Sequence, residues 1–286
     1  MTTEPPKQPE QPQNPAQAEQ TKQPEQINLP KSVLVVGLAG SGKSTLIHAL
    51  NSYTYENKVP AYYVNLDPAT AELDFSANVD IRDSVNYSQV MEGFKLGPNG
   101  AILTSLNLFA TKFHDVVRIL QSKKDVKFAF FDTPGQIEAF AWSASGGMIT
   151  QELASTFPTV ILFVVDIPRC SHTPTFISTM LYACSILYRS GLPVVLALTK
   201  TDVKPADEII SWMTDNDKFE EAISKEGDSS YFSDFNRSTG SIFSELYETI
   251  PVVPVSGMTG DGIPRLLQEI DKLAQSPKPS APTSKE

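Results

Sequence analysis

Cysteine, histidine and arginine are all scarce in this chain, and long apolar runs are missing. Two cysteines, Cys170 and Cys184, are too few for a disulfide framework, and no Cys or His stands at ligand spacing around either. Buried free thiols in a reducing compartment are the expectation. Six arginines, no basic run and a net charge of −10 describe an acidic surface, which repels phosphate backbones and anionic headgroups. Neither nucleic acid nor membrane is therefore an expected partner. The longest apolar stretch, residues 160–165, falls far short of the roughly 20 residues that cross a bilayer. The N-terminal region holds no apolar core of signal-peptide type, so a soluble, cytoplasmic chain is expected. His48, His114 and His172 are scattered and stand beside no candidate nucleophile. Trp142 and Trp212 read as packing residues.

What is present is ordered along the chain. The first 30 residues hold seven Pro and seven Gln and no Val, Leu, Phe or Ile before Ile27. Such a composition buries too little surface to offset ordering entropy, so residues 1–30 and the tail 276–286 are read as disordered. Between them, residues 31–275 alternate two periods. Apolar, β-branched runs at 33–37, 61–66, 126–131, 159–165, 193–198 and 251–255 predict buried parallel strands. Amphipathic stretches separate them. Leu106, Phe109, Ala110, Phe113, Val117 and Leu120 share one helical face, and a helix ending near Ser190 has Gly191 to cap it. The pattern predicts a doubly wound, mostly parallel α/β sheet with its ligand at the strands' carboxyl ends. Two long connections, near residues 75–125 and 203–250, are expected to be helical insertions, with helical patterns near 209–224 and 241–250. The first contains a turn signal at residues 96–101.

Gly37-Leu38-Ala39-Gly40-Ser41-Gly42-Lys43-Ser44 matches the phosphate-binding pattern G-x-x-x-x-G-K-[ST] between a strand and a helix. Glycines let backbone N–H groups curl around phosphate oxygens, and the helix that Thr45 continues adds its positive end. Lys43 is expected at the β- and γ-phosphates and Ser44 on Mg²⁺. Asp132-Thr133-Pro134-Gly135-Gln136 follows a buried strand, which places Asp132 to bind Mg²⁺, Gly135 to approach the γ-phosphate and Gln136 to orient water. Asp67, at a strand stopped by Pro68, reaches the same ligand edge, either as a residue of the site or as a cap for the segment after it. Thr199-Lys200-Thr201-Asp202 is similar to the N-K-x-D element that selects guanine, with Thr199 where Asn is usual. The Asp202 carboxylate accepts from the guanine ring N–H and amine, and the Lys200 stem packs over the base. Ser256, in Val255-Ser256-Gly257, stands where the second guanine element falls.

These motifs carry a family resemblance that spans roughly residues 32–273. The chain resembles the GPN-loop GTPases, with Gly97-Pro98-Asn99 as the tripeptide, Asn65-Leu66-Asp67-Pro68-Ala69 and the long run from Asp132 to Gly146. Ser211-Trp212-Met213 with Asp215 and Phe219 resembles the eukaryotic branch linked to RNA polymerase II assembly and nuclear import. The resemblance implies GTP as substrate, Mg²⁺ and a dimer, formed with a second copy or with a paralogue. It also implies that Asn99, on a short projecting loop, acts on the partner's nucleotide, while Asp67 and Gln136 orient water. RNA polymerase II subunits are the implied clients, with shuttling between cytoplasm and nucleus. Leu38 stands where many dimeric relatives in the wider superfamily place a lysine that reaches the partner's phosphates.

Two other readings compete. A P-loop kinase for a small molecule or polynucleotide needs an arginine-rich lid, and the insertions offer only Arg82, Arg118 and Arg237. An assembly chaperone that hydrolyses little would carry the same motifs as an active switch.

Overall fold

The computed structural model describes residues 29–226 and 250–275. Each apolar run becomes a strand: β1 (Lys31–Gly37), β2 (Ala61–Asn65), β4 (Phe128–Asp132), β5 (Thr159–Asp166), β6 (Val194–Thr199) and β7 (Val252–Pro254). A further strand, β3 (Val79–Asp80), has only two residues, too few to carry a sequence pattern. The strands form one sheet in the order β3-β2-β4-β1-β5-β6-β7, parallel at every pairing. This is the doubly wound α/β class that the alternation predicts.

β4 and β5 are buried along their whole length because helices cover both faces of the sheet. The two-residue period sorts β1 between the two layers. Val33 and Val35 join the core under α1 (Lys43–Glu56) and α11 (Ile263–Gln275), while Leu34 and Val36 join the core on the other face. α11 buries Ile263, Leu266, Leu267 and Ile270, one stripe at helical spacing. The opposite face is thicker. It is covered by α2 (Ile81–Ser84), α3 (Tyr87–Phe94), α4 (Pro98–Ala110), α5 (Phe113–Ser122), α6 (Ile137–Ala141), α7 (Ala144–Thr156), α8 (Thr173–Ser190), α9 (Asp207–Thr214) and α10 (Asn216–Glu226). Residues of the two long connections are therefore part of the main core: Leu106, Phe113, Ile209 and Phe219 lie in it beside strand residues. Trp212 packs on Phe176 and Phe219. Among the described residues no helix is long and apolar enough to cross a membrane.

Three local expectations are corrected. The single helical face from Leu106 to Leu120 is two helices, broken at Thr111 and Lys112. The Thr111 hydroxyl donates to the Leu108 carbonyl at 2.7 Å, closing α4, and the break lets Phe113 meet Phe109 edge-on inside the core. The Gly97-Pro98-Asn99 tripeptide is not a projecting loop. Gly97 is the N-cap of α4 and Pro98 lies in its first turn, where a fixed φ and a missing N–H cost nothing. The helical pattern near 209–224 divides at Asp215, whose carboxylate accepts the N–H groups of Asp217 and Lys218 and so starts α10. α8 ends at Gly191 in the left-handed region, as its sequence requires. The pattern near 241–250 falls outside the described residues except at Ile250, as do residues 1–28, Arg237 and the tail 276–286.

Two adjacent glycines in α7 give a sharp test of packing. A Cβ on Gly146 would stand 2.0 Å from the Phe140 carbonyl oxygen, whereas one on Gly147 meets nothing within 4 Å. Gly147→Ala should stabilise by about 0.5–1 kcal/mol through helix propensity. Gly146→Ala should destabilise by about 2 kcal/mol or more, because backbone cannot yield as a side chain does. Urea unfolding of the two variants decides it, and equal shifts would contradict this packing.

Candidate functional site

All seven parallel strands end on the carboxyl edge of the sheet, and six of them carry candidate residues. The chain leaves β1 into the glycine-rich loop, and β1 lies between β4 and β5; its connection, through α1, runs to one face, whereas those after β4 and β5 run to the other. That switch point is where open α/β sheets bind ligands. Asp132 ends β4, Asp166 ends β5 and Thr199 ends β6, while Asp67 and Ser256 follow β2 and β7.

The loop itself is shaped for an anion. Gly40 and Gly42 take φ of 74° and 92°, and Gly42 caps α1 without any side-chain acceptor for the helix's first N–H groups. Lys43 is buried, and its Nζ donates to the carbonyls of Gly37 at 2.7 Å and Leu38 at 3.1 Å. Burial pushes its pKa down, opposed by Asp132 and Asp67. The Ser41 hydroxyl is buried without a hydrogen-bond partner, and Ser44 and Thr45 are exposed on the first turn of α1.

Asp132 is only 4% exposed. Burial above all raises its pKa to about 7, with Lys43 opposing and Asp67 adding to the rise. The next residue, Thr133, donates its hydroxyl to Val35 O at 2.7 Å and fixes the turn against β1. Both readings of Asp67 find support in its contacts. One oxygen accepts the Ala69 N–H at 2.9 Å, as a cap does, and the other accepts the Gly135 N–H at 3.3 Å. In this state the Gly135 amide, expected at the γ-phosphate, is held by Asp67. Asn65, which belongs to no chemical motif read from its residue type, braces this loop. Its side chain bonds both backbone groups of Asp67 and the Asp80 carboxylate, which in turn holds Arg82. Gln136 is the N-cap of α6, half-buried, and shares with Asn99 the lining of a cleft of about 380 Å³. Within one chain, then, the α4 N-terminus stands beside Gln136.

The opposite end of the edge gathers the residues that the sequence marks for guanine. Thr199 Oγ1 reaches the Ser41 carbonyl at 2.7 Å and the Val165 carbonyl at 3.0 Å, so threonine supplies the loop brace for which asparagine is usual. Lys200, with φ of 66°, sends Nζ to Asp166 at 2.7 Å and to Gly40 O at 3.1 Å. Asp202 is exposed and accepts the Ser256 hydroxyl at 2.6 Å. The Ser256 oxygen accepts the N–H groups of Met258 and Thr259, which fixes the last loop around it. Asp166 and Arg169 escaped the sequence reading. Asp166 had the same signal as Asp132, a carboxylate closing a buried strand; Arg169 had none.

Other candidates recede from the site. Arg82 is engaged by Asp80, and Arg118 pairs with Asp115 on the surface of α5. The thiols of Cys170 and Cys184 are buried, and burial raises both pKa values, that of Cys184 to about 11.

An implied Mg²⁺ fits the donors present. Among the described residues no cluster of three His, Cys, Asp or Glu side chains forms, but Mg²⁺ shared with substrate phosphates needs only one or two protein oxygens. The Ser44 hydroxyl and the Asp132 carboxylate supply them. Keeping Asp132 charged is costly, and a divalent cation relieves that cost.

The sign of this cost is testable. A carboxyl whose folded pKa lies above its unfolded value binds more protons in the folded state, so stability falls as pH rises from about 4 to about 7. Without nucleotide or metal, Asp132→Asn should therefore melt several degrees above the wild type at pH 8, with the gain vanishing near pH 4. A gain equal at both pH values would remove the ionisation argument.

Residues 35–276 match a family model described as "Conserved hypothetical ATP binding protein". The chain is 49% identical over 251 residues to GPN-loop GTPase 1 of Saccharomyces cerevisiae, covering 84% of this chain and 65% of that protein. It is 45% identical over 249 residues to GPN-loop GTPase 1 of Schizosaccharomyces pombe, covering 84% and 68% of the two chains. With the Pyrococcus abyssi GPN-loop GTPase PAB0955 it is 33% identical over 178 residues, 62% of this chain and 69% of that one. The chain spans only 62–65% of the length of the budding yeast, Dictyostelium discoideum and Arabidopsis thaliana relatives. The crystal structure of PAB0955 in apo form superposes with a TM-score of 0.74 at 24% identity, covering 86% of this chain and 98% of that one, which establishes the fold. With the glycine-rich loop, the carboxylates of β2 and β4 and the Gly97-Pro98-Asn99 helix start all in place, the chain belongs to the GPN-loop GTPase family.

Proposed function

We propose that this chain binds GTP with Mg²⁺, hydrolyses it to GDP and phosphate as a dimer, and uses the cycle to escort RNA polymerase II subunits between assembly and nuclear import. The observation that carries the guanine assignment is the Ser256–Asp202 bond beside a phosphate loop braced by Thr199 and Lys200. Ser256 occupies one oxygen of Asp202 and orients the carboxylate. The ring N–H and the exocyclic amine of guanine are the complementary donors, and adenine presents neither at that edge. The ATP in the family description is therefore not the base this site favours. GTPase is the word in the relatives' names.

In the reaction, backbone N–H groups of the loop and Lys43 bind the phosphates; Ser44 and Asp132 would hold Mg²⁺, which when bound would supply charge neutralisation at the phosphate oxygens. Asp67 and Gln136 orient a water whose oxygen bonds to the γ-phosphorus as the β–γ bridging bond breaks. Accepting the γ-phosphate requires Gly135 to exchange its Asp67 partner, and the freed carboxylate oxygen is then available to the water. The polymerase client rests on resemblance alone. Trp212, Met213 and Phe219 are buried, so that signature supports the core and not a docking surface. Absence of polymerase subunits from material captured on the GTP-loaded full chain would remove the client.

Base choice is tested at Asp202. Asp202→Asn turns an acceptor into an amide and should lower GTP affinity by at least about 10²-fold, with xanthosine nucleotides partly rescuing binding. Normal GTP binding by this variant would overturn the assignment.

The dimer mechanism is tested by mixing. Asn99→Ala and Gln136→Leu should each bind GTP and hydrolyse it about 10²-fold more slowly. If Asn99 acts on the partner's site, subunit exchange creates one site per mixed dimer with both wild-type side chains, and activity rises above either variant alone. If exchange is verified by mass and activity stays flat, Asn99 acts on the Gln136 of its own chain, with which it shares a cleft.

A further inference from the structure

We infer that Arg169 is a positioning residue for the phosphate-binding loop, acting through the loop's backbone from behind; the inference rests on the nucleotide-binding reading above. Arg169 opens the short 3₁₀ turn Arg169–Ser171 that follows β5. Its Nη1 donates to the Ala39 carbonyl at 2.6 Å, across 130 residues of sequence. Its Nε stands 3.5 Å from the Asp166 carboxylate, which also accepts the Arg169 backbone N–H at 3.4 Å. The same carboxylate, 5% exposed, holds Lys200, whose Nζ reaches the Gly40 carbonyl.

Two consecutive carbonyls of the loop are thus each held by a cation, and both cations are anchored on one buried anion. The peptides whose oxygens are held carry the N–H groups of Gly40 and Ser41, which belong to the phosphate cradle. A cation on the oxygen orients such a peptide and draws density from its N–H, strengthening the donor. The guanidinium also packs against the loop: a Cβ on Gly40, where φ is 74°, would stand 3.0 Å from Arg169 Nη2. Asp166 and Lys200 join this support to the base end, because Lys200 precedes Asp202 by two residues. Arg169 itself touches neither Asp202 nor Ser256 among the described residues, and Lys200 keeps its own bond to Asp166 when the guanidinium is removed. Its influence falls on the nucleotide's phosphates and leaves the base contact untouched.

The experiment compares guanine nucleotides that differ only in phosphate number. In the full chain, Arg169→Ala should weaken GDP and GTP binding about tenfold or more while GMP binding changes by less than about twofold. Methylguanidinium added at millimolar concentration should restore part of the lost GDP affinity to the Ala variant and do nothing to the wild type. Arg169→Lys, whose ammonium cannot form the same two-pronged contact, should fall between the two. It carries the same comparison should the Ala variant fail to fold. Equal losses for GMP and GDP, or no loss for either, would overturn the positioning role. Failure of the wild type to bind any guanine nucleotide would instead overturn the reading on which it rests.

Discussion

The Thr199 hydroxyl sits where three strand ends must be held together, and the geometry of the site follows from that closure. One side chain spans the Ser41 carbonyl of the loop after β1 and the Val165 carbonyl of β5. A hydroxyl has one proton to share between those two acceptors, whereas the amide of asparagine has two. The substitution keeps the brace and reduces its donor count. Burial compensates: Thr199 is 2% exposed, so water does not compete for the bond. From this point the phosphate loop is fixed relative to β6, and β6 carries Lys200 and Asp202 into place. The separation between the glycine-rich loop and Asp202 is thus set by the sheet's own register, in which Asp166 stands opposite Thr199.

The charge distribution of the edge shows a second constraint. Lys43 and Asp132 are both buried and both shifted towards their neutral forms, so the site holds its ions under unfavourable solvation. Such an arrangement is not optimised for the stability of the chain alone. It is suited to a polyanion and a divalent cation arriving together, since each relieves the cost of one partner. The unpartnered Ser41 hydroxyl belongs to the same pattern of polar groups kept ready within the loop.

Much of this was legible in the sequence because buried parallel strands are read by composition and the phosphate loop by fixed spacing. Every strand of three residues or more among the described residues was visible, and Lys43, Asp132, Asp67 and Asp202 all reach one edge. β3 was not, because two residues carry no period. The break between α4 and α5 was hidden because Phe109 and Phe113 are spaced as one helix would place them, although the backbone turns between them. Pro98 read as a turn because proline marks both turns and helix starts, and only the packing of α4 decides which. Arg169 left no signal at all. Its partner is a backbone carbonyl far away in sequence, and such a contact requires no particular residue type at the other end.

The two edges of the sheet are its shortest strands, β3 with two residues and β7 with three. An exposed strand edge is a template on which another chain can add hydrogen bonds, and proteins blunt it by shortening it. Pro254 further removes one donor from β7. Across the described residues this sheet therefore offers little for a neighbour to extend. Its exposed surface there is made of helices and loops, where side-chain fit and not backbone pairing selects what can dock.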